Sequence, residues 1–254
     1  MKIAFTTNVS SDKIIYYGLL KLIVSFKKFH PEIPLFVFTE KQIDAEIASK
    51  NYQNINWFYL NPVMCKKVAQ EYDLVVHIDA DSIVTDRLTE VLEGDYDVAI
   101  VRNNSDFLIA GKAPAYTLGD QIHPFQYANC GLVASTSKEF WDDWIENNLL
   151  YYNLFDVHEN DVINLVLRNP KYKVKLLDPV DKPLHYGTSS IYGTHTHWDS
   201  WREIIVKDDQ LYLNNKLIKI LHNAGGQDFE KLNLDRMFSP EVAQYLKKLC
   251  DVMD

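Results

Sequence analysis

Apolar residues recur along the first hundred positions in two alternating rhythms. Runs of strand length, Ile3–Thr6, Leu35–Phe38, Ile55–Leu60 and Leu74–Ile78, are separated by stretches with helical spacing. Asp12 is placed to cap a helix carrying Ile14, Ile15, Leu19, Leu22, Ile23 and Phe26. Gln42–Lys50 reads as a short helix, and Pro62 suits the first turn of another that ends near Tyr72. Strands recurring with helical crossovers predict an α/β fold with a mainly parallel central sheet and right-handed connections.

The second part of the chain is less regular. Arg87–Leu92 predicts a short helix, Val98–Val101 and Asn129–Ala134 strands. Thr136 and Glu139 form a capping-box pattern ahead of a helix with Phe140, Trp141 and Trp144. Asp161–Leu167 reads as helix, Lys173–Leu177 as strand, and Leu211–Leu221 as a small antiparallel hairpin about Asn214-Asn215. Ser239 and Pro240 open a final helix, as cap and first residue. Residues 103–127 and 181–203 follow neither rhythm. The first is long for a passive connection, which suits a functional loop.

One of these strands ends in chemistry. Leu74-Val75-Val76-His77-Ile78 runs directly into Asp79-Ala80-Asp81. A strand apolar at successive positions is buried on both faces, and open α/β sheets bind ligands at the carboxyl ends of their strands. Two carboxylates there repel each other unless a cation lies between them. A divalent metal carrying a phosphate fits, because hard cations prefer carboxylate oxygen. The plainer alternative is that the two Asp cap the turn or helix that follows. No G-x-G-x-x-G or Walker loop is present, so neither glycine-based phosphate cradle applies.

Composition narrows the field. A net charge of −9 and only short Lys pairs, such as Lys66-Lys67, argue against a nucleic-acid partner. No run approaches the ~18 apolar residues of a membrane span, and Met1-Lys2-Ile3 begins a strand at once rather than an apolar signal segment. Three cysteines, Cys65, Cys130 and Cys250, give no disulfide framework and suit a reducing, cytoplasmic setting.

The order of motifs resembles a GT-A-fold glycosyltransferase, closest to the glycosyltransferase family 8 pattern. The resemblance rests on five features over about residues 1–230: the amino-terminal strand Lys2–Thr7, the D-x-D at Asp79-Ala80-Asp81, the N-x-G at Asn129-Cys130-Gly131, the helix start Glu159-Asn160-Asp161-Val162-Ile163-Asn164, and the late strand Ile218-Lys219-Ile220-Leu221-His222-Asn223-Ala224-Gly225. It implies a GT-A-like (Rossmann-like) sheet flanked by helices. It also implies one domain over residues 1–254, with a nucleotide-binding half at 1–102 and an acceptor-binding half with the C-terminal helix at 103–254. Asp79, Asp81 and His222 would hold Mn²⁺ (or Mg²⁺), with Ala80 between the carboxylates in the donor site. Thr6, Thr7 and Asn8 would meet the nucleoside, and Asn129, Gly131 and Gly225 would complete donor binding. Glu159, Asn160 and Asp161 would stand at the reacting centre. The implied reaction moves a sugar from a nucleotide sugar, a UDP-sugar, to a glycan or other hydroxyl acceptor. Plainer alternatives stand beside these roles: Asn129 starting a strand, Glu159 and Asp161 complementing a helix dipole, His222 serving structure.

The chain departs from the family pattern at two places. Gly225-Gly226-Gln227-Asp228-Phe229 lacks the Lys that grips the diphosphate, and Asn160 replaces the family's Gln. The second departure leaves retention or inversion of configuration open. His195-Thr196-His197 offers an H-x-H, weighed as zinc ligands against a loop whose Trp198 and Trp201 close over substrate. Two rival functions remain: a haloacid dehalogenase-type phosphohydrolase, whose nucleophile motif is also D-x-D after a buried strand, and a non-catalytic sugar- or nucleotide-binding module.

Overall fold

The computed structural model describes residues 1–10, 13–50, 52, 60–102, 128–155, 159–177, 186–189, 203–213, 215–223 and 234–251. They fall into two compact units interleaved along the chain. The first comprises Met1–Asn8, Pro34–Ile78 and Glu90–Leu177; the second comprises Val9–Ile33, Asp79–Thr89 and Asp178–Asp254.

The first unit is built on a six-stranded sheet. Its strands are β1 (Ile3–Val9), β2 (Leu35–Thr39), β3 (Leu74–Ile78), β5 (Val98–Arg102), β6 (Ala128–Ser135) and β7 (Val174–Leu177), in the order β2-β1-β3-β6-β5-β7. β1 runs parallel to β3 and β5 parallel to β7, while β6 is antiparallel to both β3 and β5. β3 sits between two neighbours with all five residues buried, which is why its sequence is apolar without alternation. The helices of this unit are α2 (Glu40–Ser49), α3 (Asn61–Val68), α5 (Lys138–Phe155) and α6 (Glu159–Val166). Phe140, Trp141 and Trp144 of α5 are fully buried among Val162, Ile163, Val133 and Val98. Their ring centroids lie 5.2 to 6.1 Å apart, and truncating any one would cost about 3–5 kcal/mol.

The second unit pairs α1 (Lys13–Phe29) and α8 (Pro240–Cys250) with two small sheets. β9 (Ile205–Lys207), β10 (Gln210–Leu213) and β11 (Lys216–Leu217) form an antiparallel meander. Asn215, with φ 61°, takes the left-handed conformation the tight turn needs, so the expected hairpin is present, but its second strand ends at Leu217 and Ile220–Leu221 join the other sheet. β4 (Ser82–Val84), β12 (Ile220–Asn223) and β8 (Tyr186–Ser189) form the other sheet, with β12 central. α7 (Leu234–Met237) precedes α8; the short helix α4 (Thr89–Leu92), which starts two residues later than the expected Arg87, belongs to the first unit from Glu90 on.

Local chemistry explains several boundaries. The Ser239 hydroxyl accepts from the Val242 N–H at 3.4 Å and Pro240 follows it, as expected from sequence. The capping box at Thr136 is not formed. Thr136 donates its hydroxyl to the Tyr96 carbonyl, and Ser137 accepts from the Phe140 N–H instead, so α5 begins one residue later. The strand expected at Ile55–Leu60 lies outside the described residues, except Leu60, which precedes α3. Residues 103–127, Gly225 and the His195-Thr196-His197 run also lie outside them; of the stretch 181–203, expected to be irregular, 186–189 form a strand, β8, and 203 is described.

Candidate functional site

The chain leaves the six-stranded sheet at Ile78 and turns through Asp79, Ala80 and Asp81 into β4. No helix follows the D-x-D directly, so helix capping is not its role. β4 pairs antiparallel with β12, and the register sets Ser82 opposite His222. Thr85 fixes that register: its N–H donates to the Lys219 carbonyl at 2.9 Å and its hydroxyl to the Ile218 carbonyl at 2.7 Å. His222 is thereby brought to the residue after the turn. Its Nε2 lies 3.3 Å from Asp79 Oδ2 and 3.2 Å from Asp81 Oδ1.

Burial within this triad is unequal. The His222 side chain is 3% exposed, whereas Asp79 and Asp81 keep 31% and 29% of theirs accessible, so a ligand can reach the carboxylates without opening the fold. Burial works against charge on His222. The Asp81 charge and hydrogen bonds to both carboxylates outweigh it, and the imidazole is pushed up to about 10. Burial likewise raises Asp81, with the His222 charge pulling the other way. A proton on His222 thus offsets two carboxylates that would otherwise repel. One ligand atom from each residue lies within 4.8 Å of the others, which fits a divalent cation in that proton's place. Two carboxylate oxygens and one imidazole are a donor set for a divalent cation.

α1 supports the turn from beneath. Ser25 accepts from the Val84 N–H at 3.0 Å and donates to the Lys21 carbonyl at 2.7 Å. Gly18 lets the helix come close: a Cβ there would sit 3.2 Å from the Ala80 carbonyl oxygen and 3.5 Å from Asp81 Cα. Sequence reading missed this residue, since a glycine in an apolar helix carries no mark of what it faces.

A second polar group lies in the first unit. Thr6 and Thr7 are fully buried at the carboxyl end of β1, and Thr6 Oγ1 is 3.2 Å from Cys65 Sγ. Asn8 donates from Nδ2 to Asn61 Oδ1 at 2.9 Å, and Asn61 donates from its own Nδ2 to Glu159 Oε2 at 3.3 Å. Asn61 therefore joins two candidates that sequence placed 151 residues apart (159 − 8). It went unnoticed because an Asn before Pro at a helix start reads as a cap; here Leu60 occupies the cap position and Asn61 is inside α3. Thr7 Oγ1 and Asn8 Oδ1 are buried without a hydrogen-bond partner among the described residues.

Glu159, Asn160 and Asp161 form the first turn of α6 and are all buried. Asn160 Oδ1 accepts from the Cys130 N–H at 2.8 Å. One turn on, Asn164 accepts from the Ala128 N–H and donates to the Ala128 carbonyl, both at 2.9 Å. These contacts have a backbone cause. β3 ends opposite Leu132, and the β5–β6 register jumps from Ile100↔Val133 to Val101↔Asn129, so this end of β6 has no β3 partner and its residues 130–132 are passed over by β5. Asn129 Oδ1 accepts from the Gly131 N–H at 2.8 Å, which turns that oxygen inward on its own strand.

No protein-family model matches the chain, and no curated protein does. Solved structures do share its fold. LgtC, a galactosyltransferase solved with donor and acceptor sugar analogues, superposes with a TM-score of 0.53 at 13% identity, over 100% of this chain and 98% of that one. The bifunctional glycosyltransferase WbbM gives 0.62 at 13% identity over 98% of this chain. Mouse xyloside xylosyltransferase 1 gives 0.57 at 7% identity over 90% of this chain and 100% of that one. The chain spans 49% of the WbbM chain and 61% of GlyE from Streptococcus pneumoniae. The fold is GT-A-like, as the motif order implied.

Proposed function

We propose that this protein is a metal-dependent glycosyltransferase that moves a sugar from a nucleotide sugar, a UDP-sugar, to a hydroxyl acceptor. The observation that carries the reading is the convergence of Asp79, Asp81 and His222 from a turn and a distant strand, in a fold shared with glycosyltransferases. A fold likeness at this identity does not by itself assign chemistry; the triad supplies it. A nucleoside diphosphate leaves poorly until its developing charge is neutralised, and a divalent cation held by these three side chains would supply that neutralisation.

The remaining roles belong to the protein's own groups. Asp79 and Asp81 would hold the cation and so orient the donor, with His222 as a neutral-imidazole ligand beside them. Thr6, Thr7 and Asn8 receive the nucleoside. Asn129 and Gly131 line the sugar pocket, with Gly225 beyond His222 completing the donor site. Glu159 and Asp161 are the carboxylates for the reacting centre, where either could accept the proton of the acceptor hydroxyl. Asn160 holds Cys130 and so places this end of β6. A phosphohydrolase of the haloacid dehalogenase type is not favoured, because the shared fold is that of glycosyltransferases.

The test is release of UDP from a panel of UDP-hexoses with Mn²⁺, with and without simple sugar acceptors. Release that stops on chelation supports the reading. Release of inorganic phosphate from phosphate monoesters, with no UDP formed, would replace it with the phosphohydrolase.

A further inference from the structure

The two faces of α1 are unlike in chemistry. At about 100° per residue, Gly18, Leu19, Leu22, Ser25 and Phe26 fall on one side, and all are buried. Leu20, Val24, Lys27 and Lys28 fall on the other. Leu20 is 37% exposed, Lys27 and Lys28 are exposed, and Val24 is half-buried. A helix on the surface of a soluble protein ordinarily turns charged and polar groups to the solvent. Here the solvent side mixes apolar groups with lysines, and none of the 17 residues of α1 is acidic. Lys27 donates to the Ile33 carbonyl at 3.0 Å, a neutral partner that does not cancel its charge.

The cationic character continues onto α8, which packs against α1. Burial pushes the Cys250 thiol up, and Lys21 and Lys28 oppose that push, so both stand near the last turn of α8. That turn carries exposed Lys248; its neighbour Lys247 is taken by Asp235 at 2.7 Å. Lysines in a last turn complement the helix dipole. This accounts for Lys27, Lys28 and Lys248, but not for Lys21 in mid-helix or for Leu20 in the open.

We propose that the outward face of α1, with Lys248 beside it, is a docking surface for the anionic headgroup layer of a lipid bilayer. Its cations are all lysines, compact hydrated charges that suit a diffuse anionic layer; a phosphate or carboxylate held by shape calls for the Arg fork. Leu20 supplies the apolar group that enters among the headgroups, as in a basic amphipathic helix lying in an interface. The whole chain carries −9, so attraction to an anionic layer has to come from a local patch, and the patch then orients the molecule. No helix among the described residues is long and apolar enough to cross a membrane, and contact through α1 is peripheral. One helix thickness, about 10 Å, would separate the lipid from the Ala80–Asp81 turn that Gly18 approaches on the inner side of α1. The docking surface does not depend on the donor reading.

The experiment is co-sedimentation of the full chain, free of metal and nucleotide, with vesicles of phosphatidylcholine alone or with about a third phosphatidylglycerol. The wild type should partition onto the anionic vesicles at least about tenfold more than onto the neutral ones, and lose that preference at about 0.5 M salt. Lys27→Glu/Lys28→Glu should weaken binding at least about tenfold, since each lysine near the surface is worth about fivefold. Lys41→Glu/Lys50→Glu makes the same change in net charge at exposed positions at the two ends of α2, and should weaken binding by about threefold at most. Leu20→Ser should weaken it several-fold at unchanged net charge, and carries the test if circular dichroism shows that the double reversal fails to fold. No preference of the wild type for anionic vesicles, or equal losses in the α1 and α2 pairs, overturns the proposal. So does binding to immobilised poly-glutamate as tight as to vesicles with Leu20→Ser without effect, which would assign the face to an acidic protein.

Discussion

His30 should make this protein acid-sensitive in a defined window. The residue follows α1, is fully buried, and stacks on Phe26 at 5.2 Å. Its Nε2 accepts from the Leu88 N–H at 3.1 Å, which places the imidazole proton on Nδ1 and requires a neutral ring. Burial, helped by the Arg87 charge, lowers its pKa from 6.5 to about 4, with Glu32 and Asp86 opposing and Lys219 adding slightly to the lowering. The folded value lies below the unfolded one, so the unfolded chain takes up the proton first. The stabilisation is complete above about pH 6.5 and is lost as pH falls toward 4. The full difference corresponds to about 3 kcal/mol, of which about 2 kcal/mol is lost between pH 7 and 5. His30→Gln keeps an acceptor near the Nε2 position and removes the titration. Urea unfolding of both proteins at pH 5 and 7, followed by circular dichroism, is the assay. The wild type should lose about 2 kcal/mol more than the variant over that interval. Equal losses would refute the claim that His30 is held neutral.

Asp81→Asn keeps shape and removes charge, so the Mn²⁺-induced rise in melting temperature should vanish while the metal-free protein still unfolds cooperatively; an undiminished rise would remove Asp81 from the ligand set. Gly18→Ala should weaken Mn²⁺ affinity several-fold by pushing on the Ala80–Asp81 turn, while its better helix propensity, up to ~1 kcal/mol, limits any loss of global stability; unchanged affinity would show that the turn absorbs the methyl freely. Asn164→Ala removes both bonds to Ala128 and should cost about 2 kcal/mol in chemical denaturation; a change below about 0.5 kcal/mol would mean that water replaces the side chain.

What the sequence disclosed and what it hid divide along physical lines. β3 was legible because burial on both faces removes alternation, and the D-x-D stood out because two carboxylates at the end of such a strand repel unless a cation offsets them. His222 was reached through its place in the motif order; its meeting with Asp79 and Asp81 depends on the β4–β12 register, which no local pattern encodes. The direction of β6 was likewise hidden, since a buried strand reads the same parallel or antiparallel. Asn61 and Gly18 act across the fold on Glu159 and Ala80, so neither leaves a trace in its own neighbourhood. Thr136 and Ser137 show the limit of a local rule: both can cap, and the Tyr96 carbonyl decides which one is free to.

The central claim, a donor held through a cation on Asp79, Asp81 and His222, is tested most directly by calorimetric titration of UDP with and without Mn²⁺ into the wild type and Asp79→Asn. The account predicts saturable UDP binding that requires Mn²⁺ and is lost in the variant. UDP binding of equal strength after chelation, or retained in Asp79→Asn, would contradict it.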